Sequence, residues 1–326
     1  MSVPAFTLDK PRYDQSTWMG RTMHFFAVTN PAYLFTSEKQ MQDDRDKLEA
    51  FKKGKRAAST SDAELWQART RLDAIMHPDT GKPVSPFFRV CAFVPANIPI
   101  CAGMLLTPPT TFNVVLWQWV NQSYNAGFNF ANRNASSPIT NTDLGTAYVS
   151  ACSASIAIGL GLPKAAERAT FLSPSIRVQL MRASPFVAVS IANVFNLLAM
   201  RSNELKTGIP VSDGDGKELG KSKLAAQSAI SQAAVTRAVL PAPVLLLPPL
   251  GMRLVDAVFP AVKTSKLAPV ANLAVIVASV WGALPFAIGL FPQECSMPVS
   301  KLEKEFQGLR DKAGKEVVNV TFNKGV

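Results

Sequence analysis

The chain has 326 residues, with 34 Lys and Arg against 23 Asp and Glu, a formal net charge of +11, and 48% hydrophobic residues. That length would allow two soluble domains, but charges crowd residues 1–89 and 294–326 and thin out between them, which points instead to a membrane-embedded middle. The four cysteines, Cys91, Cys101, Cys152 and Cys295, form no CxxC pair and no metal spacing with His24 or His77, and the basic Lys53-Gly-Lys-Arg56 cluster has no nucleic-acid motif around it, so a disulfide framework, a metal site and nucleic-acid binding are not expected.

The first residues lack the apolar run of a secretory signal, and Asp9 and Asp14 argue against an acid-poor cleaved transit peptide. Residues 1–12, with Pro4 and Pro11, read as a loose tail. Residues 13–26 read as a short amphipathic helix capped by Asp14 or by Ser16 and Thr17, and Asn30-Pro31 ends it. Residues 37–54 form a polar, solvent-facing helix. Ser61 with Glu64 resembles a capping box, opening a helix with Leu65, Leu72 and Ile75 on one stripe. That helix stops at His77-Pro-Asp-Thr-Gly81, because Pro78 disfavours helical geometry at His77 and Asp79, Thr80 and Gly81 are turn residues. Two roles fit this string. It is a helix stop with His77 packed on the body, or His77 and Asp79 are polar groups at the mouth of a membrane cavity.

No charged residue falls between Arg89 and Arg133. Residues 90–107 are apolar and about long enough to cross a bilayer. Residues 113–132 are uncharged but dense in side-chain amides. At helical spacing Gln118, Asn121, Gln122, Asn125, Asn129 and Asn132 step by three or four and share one face. Amides are costly in hydrocarbon unless paired. The stripe therefore lines a water-filled cavity or substrate path, or it is a ladder that glues helices, or the helix lies flat at the interface.

Further spans are expected at 144–163, 183–200, 228–251 and 267–291. The first places Ala147, Ala151, Ser155 and Gly159 four apart, a small-residue stripe suited to close helix packing. The next carries Asn193 and Asn196, which serve as glue or as ligands. In 201–227, Asp213-Gly-Asp-Gly216 reads as a turn without the further acids of a calcium loop. The span at 228–251 holds Arg237 and then Pro241, Pro243, Pro248 and Pro249. A broken helix beside an intramembrane Arg is a pattern of transporter sites, though an Arg at that place can also snorkel to a headgroup.

The expectation is an all-α polytopic membrane protein. It has a polar helical region at 1–89, a transmembrane domain at 90–293 with about five spans plus the amide-rich helix, and a polar, surface-lying tail at 294–326. Net charge alternates from loop to loop and puts the N-terminus on the basic side. Counting Lys and Arg alone does not reproduce that pattern. No nucleophile–base pair, metal cluster or phosphate loop indicates an enzyme or a cofactor. A transporter for a small zwitterion, and a membrane organiser whose polar ends are docking surfaces, both fit.

The assembled residues resemble the sideroflexin family. The matches are Tyr13-Asp-Gln-Ser-Thr17 with Gly20-Arg21 and His24-Phe-Phe26; Thr29-Asn-Pro31; His77-Pro-Asp-Thr-Gly81; Trp117-Gln-Trp-Val-Asn-Gln-Ser123 with Asn125; Asn132-Arg133; Met200-Arg201 with Glu204-Leu205; Gly208-Ile-Pro-Val211; Leu219-Gly220; Ala225-Ala226 with Ala229-Ile230; and Phe291-Pro-Gln293. They cover nearly the whole chain. The resemblance implies a protein of the mitochondrial inner membrane with its N-terminus in the matrix. It also implies transport of small amino acids, serine above all and also alanine, cysteine or glycine, to feed one-carbon metabolism. Older labels for such proteins are tricarboxylate or citrate carrier and a role in iron handling.

Overall fold

The computed structural model describes residues 3–77, 80–132, 141–214, 216–290, 292, 294–310 and 316–324. Helix dominates, as expected, and among the described residues four helical stretches, Leu144–Arg168, Pro174–Thr207, the interrupted Lys223–Val258 and Ala268–Ile288, are long and apolar enough to cross a membrane. The chain divides into two compact units, Met1–Pro138 with Pro243–Gly289, and Ile139–Ala242 with Leu290–Val326.

The first unit begins with an arm that is not loose. Phe6 is buried edge-on against Phe51 and Trp66, at ring-centroid distances of 4.9 and 4.7 Å. The Trp66 indole donates to Pro4 O, and Arg69 donates to the carbonyls of Thr7, Leu8 and Lys10. Helices α1 (Trp18–Val28), α2 (Glu38–Lys52) and α3 (Asp62–Ile75) follow, each opened by a hydroxyl cap from Thr17, Ser37 or Ser61. Both halves of the Ser61–Glu64 capping box are present. Buried Asp44 ties α2 to α3 through Arg71 at 3.4 Å, and burial pushes its carboxyl above the usual range. Arg45 of α2 donates to Gly81 O, and so anchors the loop after α3.

The apolar helix α4 (Phe93–Leu106) holds 14 residues, or about 21 Å. A 3₁₀ turn at Val90–Ala92 lengthens it towards the span expected at 90–107. Helix α5 (Thr111–Ala131) is the amide-rich helix, 21 residues long. It packs on α4 where Gly103 removes a side chain, since a Cβ there would collide with the Trp117 ring. Lower down, Phe93 meets Phe128 at 4.8 Å, and Gly127 lies under Phe88. The unit ends with α10 (Leu247–Val258), the one-turn α11 (Pro260–Lys263) and the apolar α12 (Ala268–Ile288).

In the second unit α6 (Asn141–Arg168) and α7 (Pro174–Thr207) pair along their lengths. Ala147, Ala151, Ser155 and Gly159 are all buried, as are Ser184, Ala188 and Ala192 of α7. Ser184 Oγ donates to Gly159 O at 3.3 Å. The small residues let the two backbones approach, which is a packing role. Helix α8 (Lys223–Val239) lies along α7 with Ala226, Ala229 and Ala233 buried. The span expected at 228–251 is broken, because the helix stops at Leu240, resumes as α9 (Pro241–Leu245), stops again at Leu246 and continues as α10. Prolines at both restarts remove the amides that would have joined the segments.

A small antiparallel sheet was not expected. Strands β1 (Ile209–Ser212) and β2 (Glu218–Ser222) form a hairpin over the Asp213–Gly216 turn, and β3 (Glu294–Pro298) and β4 (Asn319–Asn323) come from the tail, in the order β2-β1-β4-β3. The tail is therefore structural as well as polar. Val320 and Phe322 join Ile209, Val211, Ala225, Leu302 and Phe306 in one core. Glu303 caps α8 from a distance, accepting from Lys223 N at 2.7 Å, Leu224 N at 3.0 Å and Ser222 Oγ at 2.7 Å. Arg201 grips Glu204 with two nitrogens at 2.9 and 2.6 Å and donates to Lys324 O, which fastens the end of the tail to α7.

Candidate functional site

Helix α5 is polar inwards and aromatic outwards. Phe112, Trp119 and Phe130 are exposed, while Gln118, Asn121 and Gln122 are 3%, 5% and 1% exposed. Sequence explains the helix itself. Thr110 caps it by accepting from Asn113 N, and nothing in 111–131 breaks it. It does not explain the burial of these three amides, which depends on what packs over them.

The buried amides are poorly satisfied. Gln118 Oε1, Asn121 Nδ2, both amide atoms of Gln122 and the Tyr124 hydroxyl have no hydrogen-bond partner among the described residues. Two donors and two acceptors from three side chains thus lie together on two turns of uncharged helix. A buried amide left unpaired costs about 1–3 kcal/mol, so the cluster calls for a polar partner that the described residues do not supply. On α4, Asn97 Nδ2 donates to Phe93 O within its own helix at 2.7 Å.

The stripe does not behave as one unit. Asn125, Asn129 and Asn132 are only half-buried. Asn132 is a terminal clamp, its Nδ2 donating to Phe88 O at 2.8 Å and to Phe128 O at 2.9 Å. The 3/4 spacing gave all six one direction but could not separate the buried Gln118, Asn121 and Gln122 from the half-buried ones towards the end of the helix.

In the second unit Asn193 and Asn196 are buried on α7, and Asn196 Oδ1 has no partner among the described residues. One turn earlier, Ser190 Oγ donates to Ala238 O at 2.9 Å, which brings the end of α8 to this part of α7. Arg237 sits half-buried in the last turn of α8, where the negative end of the helix dipole favours a cation.

His77, Thr80, Gly81 and Lys82 of the motif region are tied to one another. His77 N donates to Lys82 O, Gly81 N donates to His77 O, and Thr80 N donates to His77 Nδ1 at 3.4 Å. Gly81 adopts φ +61°, a left-handed conformation that favours glycine. Pro78 and Asp79 lie outside the described residues, so the geometry at hand speaks for the loop's backbone role and for its Arg45 anchor. Among the described residues no group of three metal-ligating side chains occurs, and the four buried cysteines form no disulfide.

Three polar features escaped the sequence reading as structure-makers: Arg21 on the end of α12, Glu303 on the start of α8, and the Arg201–Glu204 fork. Each acts on backbone or charge far away in sequence or across a turn, and only the Arg201–Glu204 spacing of three carried a local signal.

A family model for sideroflexins matches residues 7–326. The chain is 40% identical to a sideroflexin of Dictyostelium discoideum over 325 residues, covering 100% of this chain and 99% of the relative. It is 37% identical to sideroflexin-5 of Homo sapiens, covering 99% and 94%, and 37% identical to sideroflexin-1 of Mus musculus, covering 99% and 98%. No solved structure matches it. Agreement end to end at this identity, joined to four membrane-length helices, makes the chain a member of the sideroflexin family and a carrier-like, multi-pass membrane protein.

Proposed function

We propose that this protein carries a small zwitterionic amino acid, serine foremost, across the mitochondrial inner membrane, where the serine supplies one-carbon metabolism. Its N-terminal region faces the matrix in this reading. The observation that carries the substrate class is the set of unpartnered amide atoms on Gln118, Asn121 and Gln122 in a helix without a charge. Donors and acceptors in equal number suit a ligand that has both and no net charge. A tricarboxylate would need several cations, and of the polar residues this reading places on the path only Arg237 is one.

In the second unit Asn193, Asn196 and Arg237 form a separate polar set. There a guanidinium can hold a carboxylate by two hydrogen bonds. The half-buried Asn125 and Asn129 extend the path along α5 in this reading. Liposomes containing the purified protein should take up labelled serine, and Asn121→Leu with Asn125→Leu should abolish that uptake while the protein still inserts. Full uptake by the well-inserted double variant would reduce the amides to helix packing. No serine uptake by the unaltered protein would favour a membrane organiser.

A further inference from the structure

Helix α1 makes an unusual pair of bonds to the last turn of the apolar helix α12. The Trp18 indole donates to Phe286 O at 3.1 Å, and Arg21 Nε donates to Gly289 O at 2.8 Å. Trp18 and Phe26 also set their rings against Phe286, at 5.4 and 5.6 Å. Carbonyls at a helix end have no partner within the helix, so α1 serves as an external cap for α12.

This contact fixes the height of α1. Helix α12 has 21 residues, about 32 Å, which matches the hydrocarbon thickness of a bilayer. Its last turn lies where hydrocarbon gives way to headgroups, and a helix bonded to that turn lies there too.

The outward face of α1 fits that level. Arg21 is the only charged residue of α1, and it is buried, its second donor group spent on Gln15 O and Ser16 O. Phe25 and Val28 pack inwards with Ala74 and Cys91. What remains exposed is Met19, Met23 and the edge of Trp18, with Met19 and Met23 four apart on one face. A soluble helix of this protein looks different: α2 carries acids and bases along its whole length. The Trp18 N–H is spent on Phe286 O, so the exposed edge of the ring presents apolar surface, and Trp is a side chain enriched at membrane interfaces.

We propose that α1 lies flat in the interfacial zone of the bilayer, with Met19, Met23 and Trp18 buried in lipid, and fixes the membrane plane at the C-terminal end of α12. The occupant of the exposed face is the lipid surface, because the face is continuous through Trp18 and Phe286 with a membrane-length helix.

The test uses the full chain in liposomes, with nitroxide labels on Met19→Cys and Met23→Cys. The four natural cysteines are buried, which favours labelling of the introduced one. Collision with oxygen, which concentrates in lipid, is compared with collision with a water-soluble nickel chelate. Glu49→Cys on α2 serves as the aqueous reference, and Ala278→Cys, exposed midway along α12, as the lipid reference. Labels at 19 and 23 should favour oxygen several-fold more than the label at 49 and fall between it and the one at 278. Chelate access equal to that at 49 would overturn the proposal. Shielding from both probes would overturn it as well, since a second copy would then cover the face. Serine uptake plays no part in the readout, so this inference and the transport reading fail separately.

Discussion

Replacing Gln122 with methionine should make the protein more stable and less active. Gln122 is 1% exposed, and neither of its amide atoms has a hydrogen-bond partner among the described residues. Removing an unsatisfied buried amide recovers about 1–3 kcal/mol, while an unbranched apolar side chain of similar volume fits at a cost under about 1.5 kcal/mol. The net gain is about 1–2 kcal/mol, and each kcal/mol shifts Tm by about 2–4 °C in a domain of 150–250 residues. Asn132→Leu is the internal control. Its amide makes two hydrogen bonds to carbonyls, at 2.8 and 2.9 Å, so its loss should destabilise by about 1–3 kcal/mol. Thermal unfolding in detergent, with and without serine, reads both effects. Serine at one hundred times its Kd should stabilise the unaltered protein by about 2.7 kcal/mol and leave the Gln122→Met variant unmoved. The reasoning fails if Gln122→Met melts earlier than the unaltered protein yet transports normally. In that case the amide is a structural bond.

Four other outcomes are expected. Arg237→Gln should weaken serine uptake by about 2–5 kcal/mol, thirty-fold to several thousand-fold in half-saturation, with Arg237→Lys intermediate and protein level unchanged; an unchanged half-saturation would make Arg237 a headgroup anchor. Burial pushes the Glu303 carboxyl up, but hydrogen bonds from Ser222 and from the backbone amides of Glu303, Leu224 and Lys223 outweigh it and hold the group below its ordinary value. A depressed folded pKa means that the stability it gives is present above the unfolded value of about 4.3 and is lost as pH falls through the folded one. Glu303→Gln should therefore cost about 0.5–2 kcal/mol at neutral pH and flatten the acid limb of the unfolding profile; an unchanged limb would deny the cap its role. Gly103→Ala should drive a methyl into the Trp117 ring and cost about 1–3 kcal/mol, measured by thermal unfolding, and an unshifted Tm would mean α4 and α5 slide apart freely. Trp18 and Arg21 hold α1 at the last turn of α12, and no membrane-length helix follows α12 among the described residues, so protease added to mitoplasts should spare epitopes at both Met1 and Val326; cutting at Val326 alone would refute that placement.

Much of the fold was legible because its causes are local. Hydroxyl caps at Thr17, Ser37 and Ser61, the uncharged runs and the small-residue face of α6 all signal within a few residues. The sheet was missed because β1 and β2 are only four and five residues long and carry Pro210 and Gly220, while β4 alternates too briefly to stand out beside membrane-length helices. Its burial pattern, with Val320 and Phe322 in and Asn319, Thr321 and Asn323 out, was a period-2 signal in plain view. The arm before α1 read as loose because Phe6 is a lone aromatic, and nothing nearby tells that Trp66 and Arg69 await it. At the site, residue type and direction were legible, and satisfaction was not. Whether an amide finds a partner depends on which carbonyls the fold brings to it, as the contrast between Gln122 and Asn132, with its bond to Phe88 O, makes plain.

The sheet core also sets an order of events during synthesis. Val211 and Ala225 are made early, yet the side chains that cover them, Phe306, Val320 and Phe322, arrive last, after the ribosome has passed the whole of α12. While the protein is being made, α8 has neither its Glu303 cap nor a closed core at its start. Non-local closure of this kind is slow and leaves apolar surface open to chaperones and proteases. A message truncated only a few codons before Phe322 would thus yield a chain whose membrane helices are all present but whose second unit stays open, and quality control would remove it as completely as a chain cut in half.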